Sequence, residues 1–361
     1  MFFPRRWIIL IVCLLAVQPV FSQQDIAPWP TEEWSTSTPE AQGIDSVTLV
    51  EMLQFLQNEE AEFHSVLLVR NGYLVLEVYR PPYDADESHR LVSATKTITS
   101  VLVGIAIDQG YIEGVDQPVI DLFSELTFDN MDADKAAITV EDFLTMRGGL
   151  SWSGISPQEI LDNPVAHPPG TVFQYNQAQP RLFSSTIEQM SGMDTLDFAR
   201  EMLFEPLGIS VEDDEWGRVR STRDGALALS LTPQEMAKIG YLYLNDGMWD
   251  GQQIVSAEWV EQSTSLHVEK LPNFDAYGYG YFWWVSTDGS YYLAVGSGTQ
   301  LIAVFPEKDM VLVMTADSGA LNSFIEDHVA PLAVSDTPLP ENPEATAELD
   351  ALIEAFASEE G

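Results

Sequence analysis

Ser93 and Lys96 stand three residues apart in Arg90-Leu-Val-Ser93-Ala-Thr-Lys96-Thr-Ile-Thr-Ser100-Val-Leu-Val-Gly-Ile-Ala-Ile-Asp-Gln-Gly110. On a helix, residues i and i+3 share a face at ~1.5 Å rise per residue, so the amine reaches the hydroxyl. A serine needs a base to become a nucleophile, and a lysine whose pKa is depressed by burial can serve. The free N–H groups and positive dipole of a helix start favour negative charge developing beside Ser93. The plainer alternative is a helix-start serine with a lysine that snorkels to water. Lysine is scarce, however: only Lys96, Lys135, Lys238, Lys270 and Lys308 occur. Lys96 alone has a serine three before it and alone heads a strongly apolar helix.

That helix should lie in the middle of a domain, because Ile98 to Ile107 is apolar at nearly every turn and Gly110 is a natural stop. Before it, Asp45 caps a helix whose stripe is Val47, Val50, Leu53 and Phe55-Leu56. Val66–Val69 and Leu74–Tyr79 then flank Asn71-Gly72, the signature of a hairpin with a type I′ turn. After the Ser93 helix come short elements punctuated by Asp and Gly, including a capped helix over Ile138–Met146 and others over Pro180–Met190 and Thr232–Leu244. Past Gly247 the pattern changes to strands: Tyr277–Trp284, Tyr291–Val295, Leu301–Phe305 and Met310–Thr315, separated by turns such as Asp288-Gly289 and Pro306–Asp309. Strands at both ends with helices between predict an α+β fold, an antiparallel sheet built from both chain ends and flanked by helices. The mostly helical insertion spans about 111–250.

Met1–Ser22 reads as a secretory signal, with Arg5-Arg6, an apolar core from Trp7 to Val17, and Val20-Phe-Ser22 before the cleavage point. The mature protein is therefore expected to be secreted or periplasmic, and the core is too short for a confident membrane span. The only cysteine, Cys13, lies in this signal, so no disulfide is expected. Residues 23–40 should be a surface lead-in, 41–335 the main domain, and 336–361 a proline-rich tether with a C-terminal helix. The formal charge is −40, which argues against nucleic-acid and anionic-membrane partners. With 45% hydrophobic residues the chain still folds around a large core, and its dispersed acids favour solubility. The five histidines never pair at metal-ligand spacing, so neither metal nor other cofactor is expected.

These motifs together resemble the serine β-lactamase and penicillin-binding-protein superfamily, in its branch of β-lactamase-related serine hydrolases and esterases. Ser93-Ala-Thr-Lys96 is similar to that group's S-x-x-K. Leu144-Thr-Met-Arg-Gly-Gly-Leu150 resembles its L-L-T-x-x-S-G-L, and Pro169-Gly-Thr-Val-Phe-Gln-Tyr175 its P-G-x-x-F-x-Y. Leu231–Gly240, Gly247–Gly251 and Gly296–Gln300 continue the likeness over about residues 40–345. The resemblance implies the β-lactamase/transpeptidase-like fold and makes Tyr175 the second catalytic base. A phenol is a poor base at its ordinary pKa of about 10, but a neighbouring Lys96 ammonium would favour phenolate, the two sharing protons as a coupled pair. Taken alone, Tyr175 reads rather as a core tyrosine beside Phe173, and the resemblance is what reverses that.

Two departures stand out. The family's Y-x-N becomes Tyr175-Asn-Gln177, and its K-T-G or H-x-G becomes Gly296-Ser297-Gly298, without a cation. By resemblance, the amide of Thr299 would join that of Ser93 as the oxyanion hole. Without the cation, neutral esters or amides are expected over carboxylate-bearing substrates. Arg147 is an alternative source of that charge, or else a helix C-terminal arginine. The expectation is an exported serine hydrolase acting on a small ester or amide through an acyl-enzyme. The alternatives are a β-lactamase or D-Ala-D-Ala peptidase, or a non-catalytic receptor module. Oligomeric state is left open.

Overall fold

The computed structural model describes residues 27–58, 62–128, 130–151, 154–272, 274–318 and 321–358. The expected signal at 1–22 lies outside them. Seven strands form one antiparallel sheet: β1 (Phe63–Arg70), β2 (Tyr73–Tyr79), β3 (Tyr277–Tyr279), β4 (Trp284–Ser286), β5 (Tyr292–Gly296), β6 (Gln300–Phe305) and β7 (Met310–Ala316). Their order is β2-β1-β7-β6-β5-β4-β3, so the front hairpin joins the back strands through β1 and β7, Leu67 opposite Val313. The expected α+β sheet from both chain ends is the one observed. Asn71 and Gly72, at φ 51° and 78°, make the turn that Asn-Gly demands. The outermost strands each meet one further residue, Thr36 beside Leu74 on β2 and Val268 beside Tyr279 on β3.

Every residue of β1, β6 and β7 is buried, so both faces of the central sheet are covered. Helix α1 (Ser46–Asn58) and helix α2 (Thr95–Asp108) follow the expected runs, and all of α2 from Thr95 to Ala106 is buried. Helix α3 (Ala178–Ser191) packs on α2, and helix α4 (Pro233–Leu244) crosses β1, β6 and β7. There Gly240 is needed: a Cβ would lie 2.5 Å from Val311 Cγ1. Helix α5 (Pro343–Ala357) lies along α1 and β2.

Several local expectations change. Val47 is exposed, because α1 turns Leu49, Val50, Met52, Leu53 and Leu56 inward instead. Tyr277–Trp284 is not one strand but the hairpin β3–β4, reversed where Phe282 adopts φ 60° and the Gly280 N–H donates to Trp283 O. The described lead-in is more than a surface strand: Trp34 is buried, and the Trp29 ring lies 5.4 and 5.2 Å from Tyr241 and Trp249. The segment after Ser335 is docked as well, with the Leu339 N–H donating to Glu40 O and Phe356 edge-on to Phe63 at 5.0 Å.

Candidate active site

Ser93 sits in a single 3-10 turn, Val92–Ala94, that runs straight into α2. The turn is held from behind by the segment 224–231. Leu91 N–H donates to Leu229 O, and His89 and Arg90 pair with Leu231 and Ser230. That segment is wedged between α2 and α3. Thr99 Oγ1 donates to Gly225 O at 2.8 Å, and a Cβ on Gly225 would lie 2.2 Å from Ser184 Oγ. Val92 is at φ 48°, a left-handed conformation that a β-branched residue adopts only under constraint from its surroundings.

Lys96 is 1% exposed, and its Nζ donates to Ser93 Oγ and to Ala226 O, each at 3.1 Å. It does not snorkel. Burial pulls its pKa down to about 7; Asp224 opposes that shift and Arg181 adds to it. Asp224 and Arg181 form a bidentate pair at 3.0 and 3.2 Å, and Asp224 Oδ1 also accepts from the Ala226 N–H. A chain of contacts thus runs from α3 through Asp224 and Ala226 to the amine. Neither Asp224 nor Arg181 was singled out from the sequence, since no spacing links positions 181, 224 and 96.

Tyr175 approaches from the loop before α3 and lines the same cavity as Ser93, whose side chain draws the phenol's pKa down. The Lys96 ammonium lies over the Tyr175 ring, 4.8 Å from its centre, not beside the hydroxyl. Burial therefore dominates and pushes the phenol up, against the expected phenolate. The Leu144–Leu150 motif supports this loop: Gln174 N–H donates to Met146 O, and Gly170 N–H to Arg147 O. Asn176 Oδ1 caps α3 by accepting from Ala178 and Gln179 N–H. Gln177, expected at the substrate, is not brought to the cavity wall, and its Oε1 is buried without a partner among the described residues.

Gly296 ends β5 against the serine turn, where a Cβ would lie 2.1 Å from Leu91 O. The glycine admits the neighbouring backbone rather than substrate. Thr299 N–H donates to Gly296 O within the β5–β6 turn, so it is not free to hold an oxyanion, contrary to expectation. Gly298 faces away as well, toward Ala316 O. Among the described residues, the backbone N–H groups of Ser93 and Ser297 have no acceptor, and both residues line the same cavity. The tight turn thus consumes the Thr299 amide and leaves that of Ser297 open.

That cavity, about 410 Å³, is walled by Phe173, Tyr175, Phe274, Tyr277, Trp284 and Leu293. No arginine or lysine lines it among the described residues. Arg147 is engaged elsewhere, donating to Thr145 Oγ1 at 3.0 Å and lying 3.6 Å from Glu141 Oε1. The arrangement can activate a hydroxyl, steady an oxyanion with two amides, and bury an apolar acyl group. No cluster of metal-binding side chains occurs among the described residues, and no described helix is long and apolar enough to cross a membrane.

Comparison with known proteins places the chain among similar architectures. A model described as Beta-lactamase matches residues 64–330. A 6-aminohexanoate-dimer hydrolase of Paenarthrobacter ureafaciens is 23% identical over 231 residues, covering 56% of this chain and 57% of that protein. The chain thus spans little more than half of that relative. The octameric penicillin-binding protein homologue of Pyrococcus abyssi superposes with a TM-score of 0.63 at 19% identity, over 83% of this chain and 80% of that one. EstCE1, a hydrolase with promiscuous acyltransferase activity, superposes with a TM-score of 0.60 at 13% identity, over 82% and 99% of the two chains.

Proposed function

Because this chain belongs to the beta-lactamase family, we propose that it is a serine hydrolase cleaving neutral carboxylic esters, and more slowly amides, through an acyl-enzyme on Ser93. The observation that carries this reading is the 3.1 Å contact between Ser93 Oγ and the buried Lys96 Nζ, at an apolar cavity that Tyr175 also lines. Near neutral pH much of Lys96 is uncharged amine. It takes the Ser93 proton as Oγ attacks the carbonyl, while the Ser93 and Ser297 amides hold the oxyanion. Tyr175, a protonated phenol, passes a proton to the leaving oxygen or nitrogen, and water reverses the sequence to free the acid. The acyl group lies against Trp284 and Leu293. No cofactor takes part in these steps.

The sequence reading of Met1–Ser22 as a signal makes export to the periplasm or medium part of the same proposal. The test is intact mass after a fluorophosphonate probe, paired with p-nitrophenyl butyrate turnover. One adduct and steady turnover are expected in the wild type, with both lost in Ser93→Ala. An adduct that survives in Ser93→Ala would sink the assignment.

A further inference from the structure

A second cavity, about 420 Å³, lies on the other side of the β5–β6 turn and shares Ser297 with the apolar one. Val92, the neighbour of Ser93, also lines it. Its character is opposite. His64, His89 and Gln300 contribute to the wall, and each is more than nine-tenths buried. Each also carries a buried polar atom without a partner among the described residues: His64 Nδ1, His89 Nε2 and Gln300 Oε1. Unpaired buried polar atoms are costly, and three at one cavity are a mark of a site that a ligand completes.

The open atoms define the ligand. His64 Nε2 faces Asp317 Oδ2 at 3.5 Å, which puts the proton on Nε2 and leaves Nδ1 as an acceptor. Gln300 Nε2 donates to Ala316 O, so its Oε1 is the atom left over. Burial lowers the pKa of both histidines, that of His89 to about 4, so neither ring is charged at neutral pH. Tyr83 stacks on His64 with centroids 3.8 Å apart and locks the ring in place. Two of the buried atoms, His64 Nδ1 and Gln300 Oε1, are thus neutral acceptors, and His89 Nε2 accepts or donates according to its tautomer, as a hydroxyl also does. The charged groups of the wall, Asp317, Glu87 and Arg90, stand at its exposed rim, Asp317 with a side chain 72% exposed, and not among the buried atoms. Hydroxyl groups fit: they donate to such acceptors and carry no charge to bury.

Resting on the hydrolase reading above, we infer that this cavity is the leaving-group half of the substrate cleft and takes a polyhydroxy alcohol. The substrate then spans Ser297, with its apolar acyl chain in one cavity and its hydroxyl-bearing alcohol in the other. When the acyl–oxygen bond breaks, the alcohol leaves with a proton into the His64–Gln300 cavity.

Ser93→Ala protein with ¹⁵N-labelled histidine, titrated with 1-butyrylglycerol, ethyl butyrate or ethylammonium, tests the site without requiring turnover. Saturable movement of the His64 and His89 ring signals with 1-butyrylglycerol, and not with the other two, is expected. His89→Phe, which keeps an aromatic ring in the stack and removes both nitrogens, should weaken that response at least fivefold. In the wild type, kcat/KM for 1-butyrylglycerol should exceed that for ethyl butyrate by at least tenfold. Rings that stay still, or that follow ethyl butyrate or ethylammonium equally, overturn the polyol site. Moving rings in Ser93→Ala with no butyrate released by wild type overturn the hydrolase reading while leaving the polyol site standing, and a kcat/KM ratio near one overturns only the leaving-group role.

Discussion

Lys96 Nζ and Ser93 Oγ lie 3.1 Å apart at the start of a helix that is buried along nearly its whole length. The amine is almost wholly buried, so desolvation is the main influence on its pKa.

The acid limb of the pH–rate profile for p-nitrophenyl butyrate should therefore fall near pH 7, where the Lys96 amine gains a proton and ceases to be a base, and drop tenfold per unit below it. Lys96→Met should lower turnover by about 10²–10⁴. The folded pKa lies below the unfolded value, so the unfolded chain holds more protons between about 7 and 10.5. Stability should rise with pH across that window in the wild type, and Lys96→Met should flatten the rise. Chemical denaturation at pH 7 and pH 9 measures it, and equal slopes in the two proteins would contradict the buried amine.

Asp224→Asn removes the carboxylate that supports the Lys96 charge and leaves Arg181, which opposes it. The acid limb should then move below pH 7, while the Ala226 carbonyl loosens and the maximal rate falls about tenfold. The pH–rate profile separates this from simple loss of fold. An unmoved limb would leave Asp224 with only a structural part.

Gly296→Ala places a methyl group against the Leu91 carbonyl, so β5 or the Ser93 turn must shift. Overpacking of this kind costs ~1–3 kcal/mol. A lower melting temperature and at least a tenfold loss in kcat/KM are expected. Wild-type values for both would mean that the contact yields freely.

Neutral esters should be favoured over carboxylate-bearing β-lactams. A charge-assisted contact is worth ~1.5–3 kcal/mol, or ten- to a hundredfold at about 1.4 kcal/mol per decade, and among the described residues the apolar cavity offers no cation to make one. Nitrocefin should be hydrolysed at least tenfold less efficiently than p-nitrophenyl butyrate. Because Glu141 and Thr145 already engage Arg147, Arg147→Ala should leave the ratio unchanged. Nitrocefin turned over as well as the ester would reverse the substrate reading.

What was legible in the sequence is what local chemistry determines. Asn71-Gly72 fixes a turn, the run from Ile98 to Ile107 fixes a buried helix, and the three-residue step fixes that Ser93 and Lys96 meet. What was not legible depends on distant backbone. The reversal at Phe282 carries no Asn, Asp or Pro; its carbonyl accepts from Thr97 Oγ1 and its N–H donates to Leu144 O. The engagement of the Thr299 amide turns on one hydrogen bond inside a hairpin. The Asp224–Arg181 pair joins residues 43 apart, a distance over which no periodicity speaks.

The residues bridging the two outer strands have a bearing on solubility. An unpaired strand edge is a template for another chain, and a seven-stranded sheet has two. Thr36 occupies part of one and Val268 part of the other, the first supplied by sequence close to the chain start. Loss of the segment around Thr36 would bare Leu74 and its neighbours on β2 without touching Ser93. Such a protein would keep Ser93 and Lys96 in place yet offer β2 as a free edge for strand-to-strand pairing between chains, a route to aggregation.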